Sequence, residues 1–135
     1  MNGKVVVDTS IALKWVVVEA DSDRANALLG AWQRHGVLLI APTLLTYEVA
    51  NILRQRQHRA SMSPTQAETS LRALLGGSIL LGIIDQTGQQ NLGLRALELA
   101  DLHHLAAAYD AHFLALAERE GCEYWTADER LWNTV

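Results

Sequence analysis

Hydrophobic positions along the chain follow two alternating patterns. Lys4 to Val7 is a short, β-branched run that ends abruptly at Asp8, the pattern of a strand covered on both faces in a parallel sheet. Thr9 and Ser10 supply hydroxyls suited to starting a helix that Ile11 to Val18 continue. Asp21, Ser22 and Asp23 precede a helical segment with Ala25, Leu28, Leu29 and Trp32, stopping near His35 and Gly36. Val37 to Ala41 is a second strand candidate, closed by Pro42. Thr43 is expected to cap a helix through Leu45, Val49, Ile52 and Leu53 to about Arg59. Ser63-Pro64 with Gln66 forms a capping box with proline at the first helical position, and this helix ends at Gly76-Gly77. Residues Ser78 to Ile84 are apolar enough for a strand, but Gly82 leaves the choice open. Thr87 and Gln90 repeat the capping pattern before a helix to about Ala100. Ala106 to Glu120 follows as a helix stopped by Gly121, then a short strand from Glu123 to Thr126 and a helical turn from Asp128 to Trp132.

Strands alternating with helices imply an α/β layered fold around a mostly parallel central sheet flanked by helices. No Pro/Gly/Ser linker, low-complexity tract or fixed-period repeat divides the chain, so residues 1–135 are expected to form one domain. A domain of 135 residues buries about two thirds of the surface its unfolded chain exposes. No apolar stretch approaches the ~18 residues that span a bilayer, and the N-terminus lacks the long apolar region of a signal peptide. Cys122, the only cysteine, cannot form an internal disulfide. It reads as a packing residue in a reducing cytoplasm. A formal charge of −4 argues, taken alone, for a small-molecule enzyme or a protein-binding module over a nucleic-acid binder.

The candidate chemistry lies in carboxylates. In parallel α/β folds ligands gather at the carboxyl ends of the strands. Asp8 ends the first strand candidate and Asp128 follows the last. Asp8 alone would be a helix N-cap, and Asp110 alone a first-turn acid favoured by the helix dipole. Glu48 is harder to explain so simply. It borders the apolar stripe of Leu45, Val49, Ile52 and Leu53, and its neighbours Leu44, Asn51, Ile52 and Gln55 include no cation. An uncompensated carboxylate there is costly unless a metal or cation meets it. Clustered carboxylates raise one another's pKa values, and hard oxygen donors suit Mg²⁺ or Mn²⁺ rather than zinc. Two such ions would neutralise the formal charge of −4. Adjacent His103 and His104 point to different helix faces and read as surface or helix-start residues. Arg54, Arg56, His58 and Arg59 form a basic run suited to phosphate contacts, or equally to a solvated helix end.

Four segments then resemble a known family. VVVDTSIALKW (5–15), PTLLTYEVANIL (42–53), AYDAHFLALAE (108–118) and WTADERL (125–131) are similar to the motif blocks of PIN domains. They are especially similar to the toxin ribonucleases of VapBC type II toxin–antitoxin systems. The resemblance runs over essentially the whole chain. It implies a PIN-like three-layer fold and Mg²⁺- or Mn²⁺-dependent endonucleolytic cleavage of RNA, leaving 5′-phosphate and 3′-hydroxyl ends. It makes Asp8 and Asp110 the principal metal ligands, with Glu48 and Asp128 completing the acidic pocket. Ser10 and Thr126 match the hydroxyls that line such pockets and orient the aspartates. His112 departs from the family pattern, standing where an aromatic such as Tyr is common. The same resemblance implies a cognate antitoxin, a homodimer, a cytoplasmic location and no membrane association. Alternatives are a housekeeping PIN ribonuclease without antitoxin and a catalytically silent PIN-like binding module. A receiver-type phosphorylation switch fails because Lys4 and Lys14 are the only lysines and no lysine–proline pair occurs late in the chain. A phosphatase with D-x-D-x-T after the first strand fails on D-T-S-I-A. Trp15, Trp32, Trp125 and Trp132 read as core residues rather than base-stacking platforms.

Overall fold

A computed structural model describes residues 3–77, 79, 81–85 and 92–127. The elements are β1 (Lys4–Val7), α1 (Thr9–Val16), α2 (Ser22–Arg34), β2 (Leu38–Pro42), α3 (Leu44–His58), α4 (Pro64–Leu75), β3 (Leu81–Ile84), α5 (Gly93–Leu102), α6 (Tyr109–Glu120) and β4 (Glu123–Trp125). The strands form one sheet in the order β3-β2-β1-β4, and every pairing is parallel. The chain therefore steps outward from β1 to β3 on one side and returns to β1's other edge with β4. This is the α/β three-layer arrangement expected of the sequence, and Leu81 to Ile84 resolves as its third strand.

The period-2 geometry of strands divides the apolar runs between two layers. Val5, Val7 and Leu39 pack with Trp32 of α2 and Val37 on one face. Val6 and Ile40 point the other way. They join a larger cluster containing Leu45 and Val49 of α3, Leu74 of α4, Ala96 and Leu99 of α5, and Phe113 and Leu116 of α6. No helix among the described residues is long and apolar enough to cross a membrane.

Several boundaries differ from those the sequence suggests. Pro42 is the last residue of β2 instead of its stop. Beyond Ile40 that strand pairs only with β3, so the missing proline N–H removes no bond to β1. Thr43 does not cap α3 with its side chain; its carbonyl accepts from the Thr46 hydroxyl at 2.7 Å. α1 ends at Val16, and β4 ends at Trp125, short of Thr126. Thr87, Gln90 and the Asp128 to Trp132 turn lie outside the described residues, and α5 begins at Gly93 with Leu92 as its cap residue. The capping box of Ser63 and Gln66 is present as expected, with bonds of 3.1 and 2.8 Å.

Four helices stop in the same way. After α2, α3, α5 and α6 the chain turns left-handed at Gly36, Ala60, His104 and Gly121, with φ of 66°, 57°, 56° and 62°. Each turn closes with a paired Schellman bond set. For α5 these bonds are Leu105 N–H to the Ala100 carbonyl at 2.8 Å and His104 N–H to the Asp101 carbonyl at 3.2 Å. The equivalents at α3 are Ser61 to Arg56 and Ala60 to Gln57, both 3.0 Å. His103 and His104 thus end a helix instead of starting one, and α6 begins only at Tyr109, after this turn, not at Ala106.

Only glycine adopts the left-handed conformation without a side-chain penalty. Ala60→Gly and His104→Gly are each expected to stabilise the protein by about 0.5–1 kcal/mol in urea titrations, and Gly121→Ala to destabilise it by a similar amount. Equal midpoints for all three variants would count against the strain.

Candidate active site

The site is built at the carboxyl end of β1. There β1 is flanked by β2 on one side and β4 on the other, the point where a parallel sheet opens a crevice. The Asp8 N–H continues the ladder to the Trp125 carbonyl at 3.3 Å. Its side chain is almost completely buried. One oxygen, Oδ1, accepts from the Ser10 hydroxyl at 2.6 Å and from the Ile11 N–H at 3.3 Å, so Asp8 is also the N-cap of α1. The other, Oδ2, accepts from the Tyr124 hydroxyl at 2.8 Å. Ser10 Oγ lies 3.3 Å from Thr126 Oγ1 and accepts from the Ala127 N–H at 2.9 Å. The start of α1 is thereby tied to the segment leaving β4.

Glu48 enters from α3 and is half-buried, with Oε1 accepting from the Thr9 hydroxyl at 2.7 Å. Asp110 enters from the first turn of α6 and is half-buried as well. Burial raises the Glu48 carboxyl above its ordinary value. The Thr9 bond opposes that rise, the charges of Asp110 and Asp8 add to it, and His112 acts against it. Burial also raises Asp8, opposed by the hydrogen bonds from Ser10, Thr126, Tyr124 and Ile11. The Tyr124 hydroxyl is pushed far up by burial and by the Asp8 charge beside it, so it remains a neutral donor at every physiological pH. Asp8, Glu48 and Asp110, from three separate elements, therefore share one electrostatic field.

Ser10 and Thr126, which the family resemblance names as pocket hydroxyls, hydrogen-bond to Asp8, while Asp128 lies outside the described residues. The basic run is dispersed: Arg56 pairs with Glu19, Arg54 donates to Gln57 at 3.3 Å, and Arg59 is the cap residue at the end of α3. Trp32 is core, but Trp125 is 37% exposed. Thr9, His112 and Tyr124 also belong to the site, although the sequence alone presents Thr9 as a helix starter and Tyr124 as one residue of a short strand. Register is the signal that finds Tyr124: it pairs with Val6, two residues before Asp8, and its ring packs against Phe113 with centroids 6.4 Å apart.

Among the described residues no group of three or more His, Cys, Asp or Glu is close enough to hold a metal unaided. The donor chemistry nonetheless fits a hard divalent ion. Carboxylates and hydroxyls provide oxygen only, and Mg²⁺ commonly binds through one or two carboxylates while keeping several waters. Burial raises Glu48 most, and the repulsion from Asp110 and Asp8 that adds to it is what a cation would relieve.

Comparison with protein families matches residues 5–134 to the PIN domain. Among solved structures the chain is similar to VapC20 of Mycobacterium tuberculosis, described as a sarcin–ricin loop cleaving toxin. The TM-score is 0.69 at 17% identity, over 92% of this chain and 89% of that one, a likeness of fold. No curated protein matches.

Two outcomes are expected. An acid whose folded pKa is raised binds its proton more tightly in the native state. Its ionisation therefore destabilises the fold as pH rises from the ordinary carboxylate value towards the raised one. In metal-free buffer Asp8→Asn should be more thermally stable than wild type at pH 7. The difference should shrink as pH falls towards 3.8, the ordinary value for aspartate; an unchanged gap across that range would refute the desolvation argument. Tyr124→Phe should cost about 1.5–3 kcal/mol, the worth of a hydrogen bond to a charged group, and much less in the Asp8→Asn background. A double-mutant cycle by chemical denaturation measures the coupling.

Proposed function

This chain belongs to the PIN-domain family, whose members are generally nucleases, and from that premise we propose that it is a Mg²⁺- or Mn²⁺-dependent endoribonuclease. In the same reading it is the toxin of a type II toxin–antitoxin pair, acting in the cytoplasm as one domain over residues 1–135. One observation carries the enzymatic part. Asp8, Glu48 and Asp110 come from β1's end, α3 and α6 to the sheet's carboxyl edge, where burial raises Asp8 and Glu48 and the charges of Asp110 and Asp8 raise Glu48 further.

Asp8 and Asp110 are the proposed principal ligands, with Glu48 and Asp128 completing the pocket directly or through water. A divalent ion there supplies Lewis-acid polarisation of the scissile phosphodiester and a lowered water pKa. Ser10, Thr126 and Tyr124 fix the Asp8 carboxylate so that it need not reorganise when a cation or phosphate arrives. Thr9 holds Oε1 of Glu48. Oε2 is the atom proposed to take the proton of the attacking water, and the raised pKa of Glu48 brings its basicity closer to neutral pH. In-line displacement of the 3′ oxygen would leave 5′-phosphate and 3′-hydroxyl ends.

Partners follow the same reading: RNA as substrate, an antitoxin that covers the pocket, and a second copy of the chain. Exposed Leu94, Leu97 and Leu102 on α5 are candidates for the pairing face.

Purified protein incubated with total RNA and Mg²⁺ should produce discrete cleavage, lost in EDTA. Asp8→Asn and Asp110→Asn should each reduce the rate by roughly 10²–10⁴-fold, with ends mapped by sequencing. Absence of wild-type cleavage across RNA classes, or full activity of either variant, would sink the proposal and leave a binding module.

A further inference from the structure

A cleft of about 310 Å³ opens on the α2 side of the acidic centre and shares Thr126 with it. Its apolar floor comes from Ile11, Ala25 and Leu28, and Trp125 forms a wall. Lys14 and Arg24 line it too, opposed by the single carboxylate of Asp21 among the described lining residues. We propose that this cleft is a subsite for a nucleotide flanking the scissile phosphodiester, its base against the Trp125 indole and its phosphate towards Arg24 and Lys14. The inference rests on the nuclease reading and adds to it a place where substrate is held.

Three features carry the assignment. First, the indole is preorganised. Trp32, fully buried, meets Trp125 edge-on with centroids 5.5 Å apart at 82°, and Trp15 meets Trp32 at 6.4 Å and 89°. Trp125 Nε1 is also held by Glu123 at 3.2 Å. An aromatic fixed in this way loses little entropy on stacking a base. Second, the cations are arranged for an anion. Arg24 is exposed and makes no ion pair among the described residues. Lys14 is anchored by the Ala20 carbonyl at 2.8 Å and stands 3.9 Å from Glu19, leaving donors over. Among the described lining residues Lys14 and Arg24 outnumber Asp21, in a chain whose net charge is −4. Third, the position suits a polymer. Thr126 hydrogen-bonds towards Asp8, so a strand cut at the acidic centre continues directly into the cleft. A cleft near 300 Å³ is at the lower end for small-ligand sites and suits one nucleotide.

The test uses full-length Asp8→Asn protein, which should not consume its probe, and a six-nucleotide single-stranded RNA of mixed sequence. The Trp125 indole N–H resonance is expected to shift on titration. Trp125→Ala should weaken binding roughly ten- to hundredfold, Trp125→Phe should largely restore it, and Arg24→Gln should lower the salt slope by about one. Equal affinity of all variants, or shifts confined to other indoles, would overturn the subsite. Cleavage of the same oligonucleotide by protein with Asp8 intact is scored separately. If that protein binds but cuts neither the oligonucleotide nor total RNA, the nuclease reading falls while the subsite stands. If it cuts and Trp125→Ala cuts with unchanged KM, the subsite falls and the nuclease stands.

Discussion

The structure depends on a buried carboxylate that the fold keeps in place by hydrogen bonding. Removing Asp8 from water would be prohibitive without compensation. Its two oxygens are met by Ser10, Ile11 and Tyr124, with Thr126 close by. Those donors are also what joins the layers. Ile11 begins α1, Tyr124 belongs to β4, and Ser10 binds Ala127 beyond it. The strand β4 is only three residues long, too short to be held by its ladder alone. The donor set around Asp8 is a large part of what pins it to β1. No buried side-chain nitrogen or oxygen among the described residues lacks a partner.

That arrangement removes a choice the sequence seemed to pose. An aspartate after a strand reads either as an N-cap or as a site residue, and here it is both. The cap bond uses Oδ1 and the Tyr124 bond uses Oδ2, so the backbone and β4 set the carboxylate's orientation together. Glu48 follows a different logic. Its single hydroxyl partner does not offset the burial and the two acids near it. Asp8 is therefore the member of the cluster held on both oxygens, and Glu48 the one held on Oε1.

Much of the fold was legible because strong local signals agreed. Val5 to Val7 could hardly be anything but a covered strand, and the Ser63-Pro64-Gln66 start of α4 carries its own instructions. Gly36 and Gly121 announced the ends of α2 and α6. Ala60 and His104 make the same left-handed stops without glycine's signature, so no local residue marks where α5 ends and α6 begins. Tertiary packing overrides propensity there. The site was half legible: acids at strand ends are visible in a sequence. Tyr124 and Thr9 owe their roles to register and to side chains meeting across 116 and 39 residues, which no local pattern encodes.

The strand order has a temporal consequence. β1 is one of the two inner strands and is made before every other element described here, whereas its neighbour β4 is made after every helix described here. The contacts of Ser10 with Thr126 and Ala127 span 116 and 117 residues. On the ribosome, Asp8 must wait, without its β4-side partners, until Tyr124, Thr126 and Ala127 have been made. The acidic centre is therefore assembled last, and a truncated nascent chain cannot carry a finished one.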